Sequence, residues 1–358
     1  MRLLLAGGGT GGHLFPAVAL AQRLIEQDPT AQVLFVGTTR GIEARVIPAL
    51  GMPLRFIDIR GFVNRGLLGK LGMVPCLVRS VWQGLRILRE FRPDVVLGVG
   101  GYASAPLLVA ARLKGIPAVI HEQNAWPGLT NRLLGRWARC VCLSFSEAER
   151  AFHRATTIVT GNPLRKGMEA SSPPGGDQPE LLIFGGSRGA RAINDAVLAA
   201  LPLLSRWRQR LTIVHQTGSE DLQRVQKGYA EAGWPQATVV PFIDDMASAY
   251  TRAHLVVCRA GATTLAELAA CGRAAILIPY PHAAGDHQTI NARAMARKGA
   301  ALVLPQPDLT AEHLASLVSD LLDNRSQLMN MAAAARSLGI AGAADRILNV
   351  CRSVYDRH

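Results

Sequence analysis

Gly7-Gly-Gly-Thr-Gly-Gly12, with His13 directly after it, is the first stretch of the chain that could do chemistry. Consecutive glycines let backbone N–H groups approach an anion, and a helix start adds a positive field. The run formally satisfies G-x-G-x-x-G. A dinucleotide site also needs an acid about 20 residues on, at the end of the second strand. That strand ends Val36-Gly-Thr-Thr-Arg40 without one, which leaves an NADP variant using Arg40. A His13 kept neutral by the helix-start field could act as a base near neutral pH. The plainer readings are a tight turn and a histidine that only caps or packs.

Similar loops recur. Gly100-Gly-Tyr-Ala-Ser104 follows an apolar run and precedes a helical pattern, a second loop-to-helix anion site. In Gly185-Gly-Ser-Arg-Gly-Ala190, Ser187 could donate its hydroxyl to a phosphate or sugar oxygen. In Arg259-Ala-Gly-Ala-Thr-Thr-Leu-Ala-Glu267, Thr263 and Thr264 begin a helix and suit a pyrophosphate. Glu267, about one turn on, could accept both hydroxyl hydrogens of a ribose; otherwise it only complements the helix dipole. His282 and His287 sit in a polar cluster running to Asn291, with no H-E-x-x-H or H-x-E pattern. Sugar-hydroxyl recognition is therefore expected there, and no metal.

The elements that must position these loops alternate from end to end. Strand patterns in the first half are Arg2–Ala6, Gln32–Val36, Leu54–Ile57, Val95–Val99, Ala118–His121 and Val141–Leu143, with helical patterns between them. Gly161–Pro179, rich in Gly and Pro, breaks the pattern and reads as a linker. The alternation restarts with Leu181–Phe184, Leu211–His215, Thr238–Pro241, Leu255–Cys258, Ala275–Ile278 and Ala301–Leu304. Strands this apolar, separated by helices, predict parallel sheets covered on both faces. The fold class is α/β, with two doubly wound Rossmann-like domains in tandem, and two such domains facing each other would make a cleft. The expected boundaries are 1–162, 163–340 and a last helix in 341–358.

Gly8-Gly-Thr-Gly-Gly-His13, Gly100-Gly-Tyr102, His121-Glu-Gln-Asn124, Gly161-Asn-Pro-Leu-Arg165, Gly185-Gly-Ser187, Phe242-Ile-Asp-Asp-Met246 and Gly261–Glu267 together resemble the MurG family, in order and over essentially the whole chain. The resemblance implies a GT-B glycosyltransferase fold. It also implies transfer of N-acetylglucosamine from UDP-GlcNAc to lipid I, giving lipid II for peptidoglycan. It puts the uracil on the Ile243 backbone and the ribose on Glu267. The diphosphate would lie along Ser187, Arg165 and the helix start Ala262, Thr263, Thr264, Leu265 and Ala266. Gln288 and Asn124 would meet the sugar hydroxyls. Thr10, Gly11 and Gly12 would approach the reacting sugar, and Gly100, Gly101, Tyr102 and Ser104 the acceptor. His13 is the candidate base. Asp286-His287-Gln288 departs from relatives that carry two adjacent Gln there. The implied reaction is a single inverting displacement, with fixed helix N-termini and Arg165 meeting the leaving charge and no obligatory metal or cofactor. The resemblance also implies that the last helix crosses back to the first domain.

The formal charge is +13, from 39 basic and 26 acidic residues, and asks for an anionic partner. Aromatics are 5% of the chain, thin for base stacking, and no nucleic-acid motif is present, so nucleic acid is not expected. Residues 1–162 carry +10, and residues 60–92 alone carry +6, with Arg79, Arg86 and Arg89 interleaved with Val74, Val78 and Trp82. That pattern fits peripheral binding to an anionic membrane surface. No apolar run is long enough to span one. With the resemblance, this places the protein on the cytoplasmic face of the bacterial inner membrane, among cell-wall synthesis and division proteins. Six scattered cysteines read as reduced core thiols. A UDP-GlcNAc 2-epimerase and an NADP-dependent oxidoreductase are the alternative activities.

Overall fold

The computed structural model describes residues 1–59, 74–168, 178–186 and 188–357. Ser187, the 169–177 stretch of the linker and Arg60, Arg65 and Lys70 lie outside the described residues. The chain divides into two units, Met1–Arg165 with Gly342–His358, and Lys166–Ala341.

The first unit holds seven parallel strands: β1 (Arg2–Gly7), β2 (Gln32–Gly37), β3 (Leu54–Phe56), β4 (Val95–Gly100), β5 (Ala118–Glu122), β6 (Cys140–Leu143) and β7 (Thr157–Val159), in the order 3-2-1-4-5-6-7. The second unit repeats the plan with β8 (Glu180–Phe184), β9 (Thr212–Gln216), β10 (Thr238–Val240), β11 (Leu255–Cys258), β12 (Ala274–Leu277) and β13 (Ala301–Val303), in the order 10-9-8-11-12-13. In each sheet the strand order reverses between neighbouring strands, β1 and β4 in one, β8 and β11 in the other. Ligands of doubly wound sheets bind beyond the carboxyl ends of such strands. The loops after these four strands are the four glycine loops of the sequence, so topology gathers them in pairs.

The strands are mostly apolar because helices cover both faces, with the buried polar residues toward their carboxyl ends in β5 and β9. Along β1, Leu3 and Leu5 face one core and Leu4 and Ala6 the other, all at most 1% exposed. Each such leucine contributes about 2 kcal/mol by leaving water. Helix Gly11–Gln27 covers the first face together with helix Ala343–Asp356, whose Ile347, Leu348 and Cys351 are fully buried in that core. Arg23 clamps Asp345 through Nε at 2.6 Å and Nη2 at 3.0 Å. The last helix thus completes the first unit.

Some elements differ from the sequence reading. Strand β7 and helix Met246–Arg252 are too short for periodicity to reveal, and in helix Arg325–Ser337 a run of four alanines blurs the buried stripe of Leu328, Met331 and Ala335. The helical pattern between the last two strand patterns of the first half is α-helical over Leu129–Leu134 and tightens to a 3-10 turn at Gly135–Trp137. Gly135 packs so closely on the Phe152 ring that a Cβ would lie 2.7 Å from it. The cysteines are free thiols.

Candidate functional site

In the first unit, the glycines serve contact between two loops. A Cβ on Gly7 would lie 2.3 Å from the Gly100 carbonyl oxygen, and one on Gly101 would lie 2.4 Å from that of Gly8. Gly100, at φ +90°, also leaves room for the His13 ring, which a Cβ would meet at 3.0 Å. The structure corrects the expected phosphate role of this loop at Gly9. Its N–H donates to Glu43 Oε2 at 2.7 Å, and Glu43 Oε1 accepts from the Thr38 N–H at 2.8 Å and its hydroxyl at 3.1 Å. Glu43 is 1% exposed, so a carboxylate of the protein itself already fills the hollow beneath the glycines. A dinucleotide pyrophosphate would meet that negative charge, which removes the physical basis for the NADP reading. The sequence signal was there, an acid three residues past Arg40, but no periodicity points it inward.

His13 projects from the first turn of helix Gly11–Gln27, half-buried, its Nδ1 3.0 Å from Gln123 Oε1. Thr10 precedes the helix in extended conformation and is exposed, with no capping bond from its side chain. Gly11 and Gly12 belong to the first turn of that helix. Glu122, buried at the end of β5, accepts from the Asn124 N–H, Asn124 Nδ2, the Gly128 N–H and Asn131 Nδ2 at 2.9–3.2 Å. It thereby fixes Asn124 at the surface of the turn. Tyr102 is exposed, whereas Ser104 is wholly buried under β4, where a Cβ on Gly98 would lie 2.9 Å from its hydroxyl. An acceptor contact by that hydroxyl is therefore ruled out in this conformation. Arg165 lies over the Phe15 ring, 5.4 Å from its centre.

In the second unit, helix Ala262–Cys271 begins after β11 with an extended Gly261 and no side-chain cap. Thr263, Thr264 and Ala266 are half-exposed, and Ala262 and Leu265 are buried. Glu267 is 1% exposed, and the Tyr250 hydroxyl donates to its Oε2 at 3.1 Å. Ile243, the expected uracil contact, already donates its N–H to Gln216 Oε1 at 3.2 Å, while Gln216 Nε2 donates to the Gly186 carbonyl at 2.8 Å. Only the Ile243 carbonyl stays open to a base unless Gln216 moves. Gln288 accepts the Tyr280 N–H on Oε1 at 2.9 Å; among the described residues its Nε2 has no partner. Arg259 is held against the Ile278 and Pro279 carbonyls and Gln306 Oε1.

Comparison with known proteins matches both units. A model of the glycosyltransferase family 28 N-terminal domain matches residues 3–143, and one of its C-terminal domain matches residues 180–347. A relative from Syntrophotalea carbinolica is 80% identical over 99% of both chains; it is named UDP-N-acetylglucosamine–N-acetylmuramyl-(pentapeptide) pyrophosphoryl-undecaprenol N-acetylglucosamine transferase. The chain belongs to the MurG family. A relative of the same name from Geobacter sp. strain M21 is 49% identical, covering 97% of this chain and 95% of its own. The crystal structure of Acinetobacter baumannii MurG is 36% identical, with a TM-score of 0.80 over 98% of this chain and 99% of its own. The fold is the GT-B fold of this family, and the protein is a hexosyltransferase.

Within this MurG-family chain, the side chains that sequence reasoning missed are the ones holding the site from inside: Glu43, Gln123, Gln216 and Tyr250. Each is an ordinary residue type in an ordinary pattern, and only the topology shows what it faces. No cluster of three or more His, Cys, Asp or Glu among the described residues could hold a metal ion.

Proposed function

We propose that the chain transfers N-acetylglucosamine from UDP-GlcNAc to the muramyl 4-hydroxyl of lipid I, with inversion, forming lipid II. The observation that carries this is the 80% identity, end to end, with a transferase of that name. It also favours transfer over the epimerase alternative. In this reading His13 Nε2 takes the proton of the attacking hydroxyl, and the first unit binds the acceptor through Gly100, Gly101 and Tyr102. Thr10, Gly11, Gly12 and Asn124 border the reacting sugar, and Gln288 offers its Nε2 to a sugar hydroxyl. The second unit binds the nucleotide. The Ile243 carbonyl accepts from the uracil, Glu267 turns toward the ribose, and the Ala262–Ala266 helix start, with Ser187 and Arg165, meets the diphosphate. Fixed amides and a guanidinium stabilise the leaving charge without reorganisation, so no metal is obligatory. Turnover that survives exhaustive chelation supports this last step; strict dependence on added Mg²⁺ defeats it.

The acceptor is a lipid, and no described helix is long and apolar enough to cross a membrane. The first unit's exposed side chains support binding at the surface of the cytoplasmic leaflet. Val78 and Trp82 are both 63% exposed on helix Val74–Phe91, while Leu77, Val81 and Leu85 pack inward. Leu113, Leu129 and Leu133 are exposed on the two helices that follow, with Arg112, Lys114 and Arg132 close to them in sequence. Apolar side chains beside cationic ones suit an anionic interface. Division and cell-wall proteins would meet the enzyme there. The decisive assay is transfer of labelled sugar from UDP-GlcNAc to a lipid I analogue. Release of UDP-ManNAc without acceptor would instead mark an epimerase.

A further inference from the structure

We infer that Gln123 is a positioning residue that fixes the tautomer of His13, leaving the ring's lone pair on Nε2. The inference rests on the reading of His13 as the base. Its physical ground is a chain of hydrogen bonds in which each direction is forced. The Gln123 amide nitrogen faces the Val99 carbonyl at 2.9 Å, His121 Nδ1 at 3.1 Å and the His121 carbonyl at 3.3 Å. Carbonyls only accept, so an amide turned the other way would aim its oxygen at two other oxygens. Gln123 is 1% exposed, so bulk solvent does not repair such a turn.

His121 agrees with this orientation from the other side. Its Nε2 lies 3.2 Å from the Gly161 carbonyl and 3.2 Å from the Ser144 hydroxyl, so Nε2 carries the hydrogen and Nδ1 accepts from Gln123. Complete burial holds this ring neutral, pushing its pKa down to about 4. The Gln123 oxygen is therefore fixed toward His13, 3.0 Å from Nδ1. An amide oxygen can only accept, so Nδ1 carries the hydrogen and Nε2 is the basic nitrogen. No described residue hydrogen-bonds to that Nε2. Gly100 completes the device, since any side chain there would push the ring out of line. An amide orients the ring as the carboxylate of a Ser-His-Asp triad does, but adds no charge.

The test is ¹⁵N-histidine NMR on the full chain at pH 8, with the His13 signals assigned by their loss in His13→Ala. Wild type should rest with hydrogen on Nδ1. Gln123→Leu should mix or reverse the tautomers and lower kcat roughly 10- to 100-fold, at an unchanged KM for UDP-GlcNAc. A wild-type His13 carrying its hydrogen on Nε2 overturns the inference, with no variant required. Inactive His13→Ala beside fully active Gln123→Leu overturns the positioning role and leaves the base reading standing. Fully active His13→Ala removes the base reading, and the positioning role with it.

Discussion

His121 and His215 are the fully buried histidines among the described residues, one in each sheet, and their surroundings end differently. Both are orientated by an amide. In the second unit, Asn194 Nδ2 donates to the Thr217 carbonyl at 3.1 Å and to Asp221 at 2.8 Å, which turns its Oδ1 toward His215 Nε2 at 3.1 Å. His215 Nδ1 then accepts from the Tyr229 hydroxyl at 3.1 Å. Asp221 is in turn gripped by Arg224 at 2.9–3.0 Å, so every member has a protein partner and the network closes on itself. In the first unit the same device runs outward and stops at His13, whose second nitrogen has no hydrogen-bond partner among the described residues. A buried polar chain thus braces a fold when its last member is satisfied, and prepares chemistry when its last member keeps a lone pair for a ligand.

The sharpest way to break this comparison is to remove the two ends. His13→Ala should lower kcat by about 10²–10⁴-fold, the usual contribution of a general base, with little change in UDP-GlcNAc binding. Steady-state kinetics with a lipid I analogue would show it, and an unchanged kcat would mean that the open end does no chemistry. The carboxylates differ in a parallel way. Glu43 serves its own loop, whereas Glu267 is touched by Tyr250 and is the residue read as holding a ribose. Glu267→Ala should therefore weaken UDP by roughly 10- to 100-fold, as the loss of a charged hydrogen bond would. Calorimetric titration measures this directly, and unchanged affinity would end the ribose role.

The closed end should respond in stability alone. His215→Leu strands Asn194 and the Tyr229 hydroxyl in the interior and should cost about 2 kcal/mol of unfolding free energy. Urea titration would report that loss, while kcat per folded molecule stays near wild type. A large drop in kcat at full folding would mean that the second network also reaches the chemistry. A smaller contrast concerns the surfaces. Arg79, Arg86 and Arg89 should each add at most about 1 kcal/mol to binding of anionic vesicles. Arg79 already faces Asp58 at 3.1 Å, and Arg86 faces Glu90 at 2.9 Å, so their charge is partly spent locally. In vesicle flotation, Arg89→Ala should weaken binding at least as much as either of the others.

The parallel sheets and their order were legible because buried strands leave unbroken apolar runs, and the glycine loops marked the carboxyl ends. The occupants of those loops were not. Gly7–Gly12 reads as an anion site, and its anion is Glu43, a residue of the same chain brought in by β2. Ile243 reads as a base contact, but its N–H is already held by Gln216, whose position depends on the register of β9 against β8. Spacing along a chain reports which groups could bind. It does not report which of them the fold has already paired.

Acid should separate the two histidines gradually, and the direction follows from burial. Both rings are neutral in the folded state because burial disfavours the charged form, which pushes His121 down to about 4 and His215 to about 3. Unfolded, each would titrate near the ordinary value of about 6.5. Between those limits the unfolded chain binds more protons, so stability is fully present above about 6.5 and declines as pH falls toward each folded value. The slope is about 1 kcal/mol per pH unit for each histidine across that window. Thermal unfolding between pH 7 and pH 4 should show the decline, and His215→Leu should make the curve shallower. Retention of the full slope in that variant would assign the acid sensitivity to His121 and the first unit, the side of the molecule that keeps a base open.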